Sequence, residues 1–244
     1  MTRPRDPRNR GVVTRPRSPR DRGVVTRLRR SRGLAPVMAV AVVVVLSGWR
    51  YEEPATGPAE TTAAVDPMAR ASLSMPAIGV RDVAVVPYRG TPDDAPGTRI
   101  QNRGPTASPR GPGGGVAPGV VGNYIVTGHR TSHSAPFRDL PALRAGDRVR
   151  VEVDGTVFVY AITDTRRTSF RSKRSLAEQS AAVPGRPAAP PVRAMITLST
   201  CATPEDRAVG NYWSDRFGNP EHRIDKIGVL VRTRPSAALG SARG

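Results

Sequence analysis

The sequence has a single cysteine, Cys201, in 244 residues, and this scarcity excludes several classes of protein. One cysteine cannot form a disulfide within the chain, so the protein is not a disulfide-stabilised scaffold. An unpaired cysteine in an exported protein is either reactive or bonded to another chain. Whether the chain is exported therefore decides how this thiol is interpreted.

Signals for metal and nucleotide sites are equally sparse. The histidines are His129, His133 and His222, and Cys201 has no second cysteine at a zinc-like spacing, so we expect no metal and no cofactor. No acidic cluster indicates a calcium site, although calcium stays open. The glycine-rich stretch 104–119 lacks the Lys-Ser/Thr pair that engages a nucleotide, and its composition predicts a flexible loop.

Acidic residues are outnumbered by basic ones, 20 against 38, which gives a formal net charge of +18. Residues 1–32 hold 12 Arg against two Asp, a net charge of +10. This tail contains a duplicated twelve-residue segment, 2–13 and 14–25, that is rich in Arg and Pro and cannot bury a core, so we expect disorder. A basic tail can bind nucleic acid, but the next segment explains the charge better, and we expect no nucleic-acid partner.

Residues 33–49 form an uncharged apolar run directly after this basic tail. Its length is at the short end for a membrane-spanning helix, and the arginines before it predict that the N-terminus stays in the cytoplasm. We therefore expect a single-pass anchor in the cell membrane, with an extracytoplasmic stalk at 50–70 and a domain outside the cell. A cleaved signal peptide is the main alternative, but no small-x-small cleavage site follows Trp49. A buried core helix is a weaker alternative.

Short alternating or β-branched stretches recur from Ala71 to Thr233, and this pattern predicts one all-β domain, a barrel or sandwich with few helices. Asp154-Gly155 is a strong signal for a hairpin turn. A short helix is expected within 171–182, a second loop at 184–191 and a disordered tail at 234–244. The predicted strand segments are 71–80, 82–88, 123–129, 147–153, 156–163, 192–201 and 222–233.

Cys201 ends one predicted strand, on the same face as Thr197 and Ser199. A lone cysteine is as often a buried apolar residue as a reactive one, but the polar segment after it indicates access. A thiolate needs a nearby base or cation, because the free thiol has a pKa of about 8.5. His129 also stands at a predicted strand end, whereas His133 and His222 are expected to face solvent.

Three segments together resemble the sortases: Thr127-Gly-His-Arg130, Thr197-Leu-Ser-Thr-Cys201 and Arg223-Ile-Asp-Lys-Ile-Gly-Val-Leu230. The resemblance runs from about Ala71 to Thr233. It implies a closed eight-stranded β-barrel with short helices, preceded by the transmembrane helix. It also implies that Cys201 is the nucleophile, His129 the acid and base and Arg223 the oxyanion donor, with Thr200 as a substrate contact.

The form of the motifs, including Ala135-Pro-Phe-Arg-Asp-Leu140, is most similar to the actinobacterial class E sortases. That resemblance implies a transpeptidase that cleaves a C-terminal L-A-x-T-G or L-P-x-T-G sorting signal between Thr and Gly through a Cys thioester. The expected partners are secreted proteins that carry the signal, an amine acceptor on a peptidoglycan precursor, and the membrane. The segment from Cys201 to Arg223 is longer than expected, with 210–215 inserted.

Two other interpretations of the sequence stay open. One is a different exported cell-wall cysteine peptidase or an L,D-transpeptidase, although the latter group carries an S-H-G-C motif and here Ser199-Thr200 precede the cysteine. The other is a membrane-tethered β-domain without enzymatic activity.

Overall fold

A closed barrel of eight strands forms the body of the protein in the computed structural model, which describes residues 65–237. The strands are β1 (Ala71–Met75), β2 (Val80–Arg89), β3 (Thr106–Arg110), β4 (Gly122–Thr127), β5 (Arg148–Val153), β6 (Thr156–Ser169), β7 (Ala194–Cys201) and β8 (His222–Pro235). Around the barrel they follow the order β1, β2, β3, β4, β7, β8, β6, β5. The pairs β2–β3 and β4–β7 are parallel, and the other pairs are antiparallel. The eight-stranded barrel implied by the resemblance is confirmed.

The helices are short and are fixed by local capping. They are α1 (Ala95–Gln101), α2 (Lys173–Ser180) and α3 (Thr203–Ala208), with single 3-10 turns at Pro76–Ile78 and Leu140–Ala142. The carboxylate of Asp94 accepts from the backbone N–H of Gly97 at 2.9 Å and begins α1, and Ser172 caps α2 in the same way. The helix expected within 171–182 is therefore confirmed as α2.

The core fills the barrel interior with alternate residues of each strand. In β5, Val149, Val151 and Val153 are buried, whereas the residues between them point outward and are exposed. Aromatic rings complete the interior. Tyr124 of β4 and Tyr160 of β6 are fully buried there. Burial of these side chains, at roughly 25 cal/mol per Å² of apolar surface, supplies the main stabilisation of the fold.

The predicted hairpin between β5 and β6 is confirmed at Asp154-Gly155. Both residues have positive φ angles, 48° and 72°, and the last pair of the ladder is Val153 with Thr156. Two consecutive left-handed residues match the right-handed twist of the flanking strands, which explains the Asp-Gly preference.

The two ends of the barrel differ in which strands begin there. We call the end where β1, β4, β6 and β7 begin, and where β8 ends, the base. We call the opposite end, where β4 and β7 end and β8 begins, the rim. Cys201 lies at the rim, whereas the first described residues, 65–70, approach β1 at the base.

The prediction of a flexible loop over 104–119 was wrong for its first part, which contains β3. All five residues of β3 are buried, and the strand pairs in parallel with β2 from Val85–Thr106 to Arg89–Arg110. Its sequence, Thr-Ala-Ser-Pro-Arg, has no aliphatic alternation because polar side chains that are bonded internally fill its positions. Ser108, for example, donates to the carbonyl of Ile125 and accepts from Arg110.

Two helices were also not predicted. The polar segment after Cys201 forms α3 instead of a loop, and α1 lies between β2 and β3 where no helix was expected. Both are one or two turns long and start with proline in the first turn, so their apolar periodicity is too short to recognise.

The expected basic tail at 1–32, the apolar segment at 33–49, the stalk up to residue 64 and the C-terminal residues 238–244 lie outside the described residues. Within residues 65–237, no helix has the length and apolar character needed to cross a membrane.

Candidate active site

Cys201 is the last residue of β7, where its free thiol lies half-buried at the rim. On β8 its direct antiparallel partner is Arg223. Side chains of directly paired residues lie on the same face of a sheet. The register of β7 and β8 therefore places thiol and guanidinium side by side.

Arg223 is held by contacts on several sides and is only 1% exposed. Its Nη1 donates to the Sγ of Cys201 at 2.8 Å, and its Nη2 donates to Oδ1 of Asn219 at 3.0 Å. The carboxylate of Asp93 forms an ion pair with Nη2 at 2.7 Å, and the ring of Phe170 lies 4.9 Å from the guanidinium carbon. A permanently charged planar donor is thus fixed against the sulfur.

A buried polar network fixes the two strands that carry these residues. The amide nitrogen of Gln179 on α2 donates to Ser199 of β7 at 3.0 Å and to Asp225 of β8 at 2.9 Å. The second carboxylate oxygen of Asp225 accepts from Thr168 of β6 at 2.5 Å. Burial raises the pKa of Asp225, and these hydrogen bonds oppose that rise. The face of β7 that carries Ser199 is polar, and the side-chain amide of Gln179 on α2 satisfies this buried hydroxyl.

His129 lies two residues beyond the last β4–β7 pair, Thr127 with Ser199, so it lies at the rim, where β7 ends with Cys201. Its Nε2 is 2.7 Å from Oδ1 of Asn102. An amide oxygen only accepts, so in the neutral ring Nε2 carries the proton and Nδ1 is the basic nitrogen. The ring therefore has a defined tautomer.

The electrostatic environment favours a neutral thiol and a neutral imidazole at rest. Burial raises the pKa of Cys201, and Asp93 adds to this, whereas Arg223 lowers it. Burial lowers the pKa of His129, and His133 and Arg223 lower it further, against an opposing contribution from Asp93. His133 stacks on His129 with ring centroids 4.8 Å apart. The pKa of the thiol is thus pushed up while that of the imidazole is pushed down.

Helix α1 and the loop before it connect the two halves of the site. Asp93 is buried, has a φ of 59°, and accepts from Nε2 of Gln101 at 3.1 Å. The same nitrogen donates to Thr127 at 3.0 Å, next to the segment that carries His129. The neighbour of Gln101 is Asn102, which bonds the imidazole. One short helix thus orients both the guanidinium and the histidine.

Sequence reasoning missed this contribution of α1. The two groups it supplies, Asp93 and Asn102, belong to no motif and lie 36 and 27 residues before His129. The only local signal is the helix start itself, an acidic pair followed by Ala-Pro.

Arg130 fastens the loop after β4 to α3. It forms a two-point ion pair with Glu205, with Nη2 at 2.9 Å from Oε1 and Nη1 in contact with Oε2. Nη1 also donates to the backbone carbonyl of Cys201 at 3.3 Å. Paired N–H groups and carboxylate oxygens fix geometry as well as charge.

Three residues named from the sequence are placed differently from the central group. Thr200 is fully buried, and its hydroxyl donates to the carbonyl of Gly128 at 2.8 Å, so it joins β7 to β4. His133 is exposed as expected, although it stacks on the histidine at the rim. His222 was expected to face solvent, but its Nδ1 lies 2.8 Å from the buried carboxylate of Asp206, and only 24% of the side chain is exposed.

The long segment between β7 and β8 forms one wall of the rim. Asp215 accepts from the backbone and side-chain nitrogens of Asn219 at 2.9 and 3.0 Å, which orients the partner of Arg223. Tyr212, in the inserted part, is 75% exposed, and a cleft of about 180 Å³ lies between this part and α3. The insertion therefore presents exposed surface at the rim, beside α3.

Within residues 65–237, no group of three or more His, Cys, Asp or Glu side chains is arranged to hold a metal ion. Calcium binding, which the sequence leaves open, has no candidate cluster in this part of the chain.

A closed β-barrel with a thiol, an arginine and a histidine at one rim is the arrangement of a thiol-dependent acyl-transfer enzyme. The sortase domain model matches residues 73–217, more than half of the chain. The chain therefore belongs to the sortase family and is a cysteine transpeptidase. This membership decides against the two other interpretations of the sequence. No curated protein sequence matches the chain.

Solved sortase structures share the fold at low sequence identity. Sortase E1 from Streptomyces coelicolor, solved with a tripeptide in the active site, is 26% identical, with 69% of this chain and 91% of that chain covered and a TM-score of 0.50. Sortase E from Streptomyces avermitilis is 23% identical over 73% and 95% of the two chains, with a TM-score of 0.50. The SrtA sortase from Actinomyces oris is 18% identical over 70% and 82%, with a TM-score of 0.52.

Proposed function

We propose that this sortase is a class E-type housekeeping enzyme, that it cleaves a sorting signal of the L-A-x-T-G or L-P-x-T-G kind between Thr and Gly, and that it transfers the protein to an amine of a peptidoglycan precursor. The observation that carries the catalytic assignment is the 2.8 Å contact between Arg223 and the sulfur of Cys201. The motif Gly128-His-Arg130 with Ala135-Pro-Phe-Arg-Asp-Leu140 supports the subclass, as does the likeness to the Streptomyces coelicolor enzyme.

In the first half-reaction the thiol of Cys201 gives its proton to His129, and the sulfur bonds to the carbonyl carbon of the signal threonine. The negative charge that develops on the carbonyl oxygen is stabilised by the guanidinium of Arg223, which is already fixed and needs no reorganisation. The Thr–Gly bond breaks when His129 gives its proton to the departing amine. A thioester and a released glycine peptide result.

In the second half-reaction an amine attacks the thioester carbon. His129 removes a proton from that amine, and Cys201 leaves as the thiolate that Arg223 stabilises through Nη1. The new amide bond replaces the one that was broken. The enzyme returns to its starting protonation state with no net consumption of protons.

The reactive form of the pair is the minority one, thiolate with imidazolium. Burial opposes both charges at rest, as the raised pKa of Cys201 and the lowered pKa of His129 indicate. Arg223 is the group that lowers the pKa of the thiol most strongly. Its role therefore includes raising the population of the nucleophile.

We further propose that residues 33–49 anchor the enzyme in the cell membrane, with the N-terminus in the cytoplasm and the barrel outside. The uncharged run, the twelve arginines before it and the Trp-Arg-Tyr sequence at its far end support this orientation.

The test is a hydroxylamine assay on residues 55–244 with L-A-x-T-G and L-P-x-T-G peptides. We expect a Thr-hydroxamate product, faster from the alanine peptide. Cys201→Ala should give no product, and Arg223→Lys should lose about 100- to 1,000-fold in kcat, because a point charge does not reproduce the planar pair of donors. Absence of hydroxamate from both peptides would overturn the proposed signal, and a faster proline peptide would contradict the subclass.

A further inference from the structure

The base of the barrel exposes aliphatic side chains that the catalytic mechanism does not use. Among residues 65–237, eight large hydrophobic side chains are exposed, and five of them lie at or near the base. Val192 is 80% exposed just before β7, and Val121 is 51% exposed just before β4. The other three at this end are Met68, Val120 and Val231, whereas Val209, Tyr212 and Phe217 belong to the rim.

An arginine-lined groove of about 370 Å³ lies on the side of the barrel next to the base. Arg148 and Arg150 of β5 form one wall, Arg232 and Arg234 of β8 form the other, and Val159 of β6 lies between them. All four arginines are exposed, and none forms an ion pair with a carboxylate of the described residues. Four like charges around one groove repel one another unless an anion lies between them.

The positive charge continues around this end of the barrel. Arg70, Arg89 and Arg193 are exposed next to the first residue of β1, at the end of β2 and before β7. The acidic groups there are Asp66, Asp82, Glu152 and Asp154. Asp82 accepts from Ser74, which pairs with Arg150, and Glu152 is engaged by the hydroxyl of Ser236. Seven arginines against four acidic residues leave a net positive surface.

The chain also enters the domain at this end. Pro67 accepts from Nε of Arg110 at 3.0 Å, which fixes the segment before β1 to the end of β3. Met68 and Val120 line an apolar groove of about 420 Å³ beside that contact. The described chain therefore begins at the base, at the end of the barrel opposite to Cys201.

We propose that the base docks on the surface of an anionic lipid bilayer. The exposed valines and Met68 enter the headgroup region, while the four arginines of the groove pair with lipid phosphates. This combination favours a bilayer over a soluble polyanion, which would pair with the arginines but would leave the aliphatic side chains in water. The inference rests on the proposed membrane anchor at residues 33–49, because the base is the end of the barrel at which the described chain begins.

The test measures the depth of the base in reconstituted vesicles. In the full chain with Cys201→Ala, a single cysteine is introduced as Val121→Cys at the base or Val209→Cys at the rim and labelled with a polarity-sensitive fluorophore. The vesicles contain phosphatidylcholine with or without phosphatidylglycerol, plus a lipid-linked quencher. In anionic vesicles we expect the base label to be quenched several-fold more than the rim label. Quenching of the base label should be weaker in vesicles without phosphatidylglycerol and weaker at high salt.

The matched variants exchange four arginines for glutamate at either end. Reversal of Arg148, Arg150, Arg232 and Arg234 should reduce quenching of the base label by half or more. The same reversal in a protein that retains Cys201 should leave peptide cleavage unchanged. Reversal of four exposed rim arginines alters net charge equally and should leave the quenching in place; these are Arg99, Arg103, Arg138 and Arg207. If a reversed protein fails to fold, the dependence on phosphatidylglycerol and salt remains the deciding measurement.

Each other outcome rejects the proposal. Equal quenching of both labels, or quenching that ignores phosphatidylglycerol, would overturn docking at the base while leaving the anchor intact. Binding of soluble polyphosphate that is lost on arginine reversal, without any quenching by vesicles, would assign the groove to a soluble polyanion. Failure of the full chain to associate with either kind of vesicle would contradict docking and the proposed anchor together.

Discussion

At the scale of residues, the site is organised around one buried guanidinium. Arg223 touches the thiol, Asn219 and Asp93, so its position depends on groups from three separate parts of the chain. Cys201, His129 and Arg223 were named from the sequence because each stands in a motif at a strand end, and the structure brings all three to the rim. Asp93 and Asn102 could not be named, because their approach depends on how α1 packs and not on any local pattern.

The shifted pKa values predict how the thiol reacts with pH. Because burial raises the pKa of Cys201 above the ordinary value of about 8.5, alkylation by iodoacetamide should accelerate only in the alkaline range. The kcat/KM profile should be broad, with its acid limb below the ordinary histidine pKa of about 6.5. Alkylation below pH 7 that is as fast as in the alkaline range would contradict the statement that Cys201 is a protonated thiol at rest.

Asp93→Asn should shift both limbs of that profile toward lower pH. The carboxylate of Asp93 raises the pKa of Cys201 and of His129, so its removal lowers both. The measurement is kcat/KM against pH, compared with Asp94→Asn. Asp94 caps α1, and asparagine caps equally well, so this control should leave the limbs in place. Unchanged limbs in the Asp93 variant would show that its carboxylate does not act on the pair.

At the scale of elements, the parts that could be predicted are those whose side chains follow the period of a strand. The β5–β6 hairpin and β7 follow that alternation, and α2 shows a capped polar start. Strand β3 could not be predicted, because its buried positions hold polar groups that are satisfied by neighbours distant in sequence. Its pairing with β2 is parallel, and a parallel neighbour leaves no turn signal between the two strands.

Ser108→Ala tests whether β3 depends on its internal hydrogen bonds. The fully buried hydroxyl donates to the carbonyl of Ile125 and accepts from Arg110, so both partners lose a bond. We expect the free energy of unfolding to fall by about 1–3 kcal/mol in urea titration. The exposed Ser132→Ala should change it by less than about 0.5 kcal/mol. Equal effects of the two variants would mean that the bonds of β3 contribute little.

At the scale of the whole molecule, the catalytic rim and the basic, aliphatic base lie at opposite ends of the barrel. The rim carries the thiol and the exposed residues of the β7–β8 segment, and the base carries arginines and valines. The β4–β7 and β7–β8 registers fix this polarity, because they put the end of β7 opposite to the residues that precede β1.

Deletion of residues 33–49 should release the protein from membranes if this segment is the anchor. We expect the full chain to sediment with membranes and to expose its barrel, but not its N-terminal tag, to protease added outside the cell. At high salt, which weakens the proposed docking of the base, the deletion variant should appear in the soluble fraction with its hydroxylamine activity retained. Sedimentation of the deletion variant at high salt would contradict this assignment.

The length of β7 determines how far the thiol of Cys201 lies from the base. Seven residue steps separate Ala194 from Cys201, which at about 3.3 Å per step is roughly 23 Å along the strand. If the base docks on a bilayer as proposed, the barrel holds the thiol at a fixed distance from the lipid, and this distance does not depend on the length of the stalk. If the proposed docking and sorting signal are correct, the signal has to reach that distance from the lipid before it reacts, so the length of the substrate's spacer would determine which secreted proteins react.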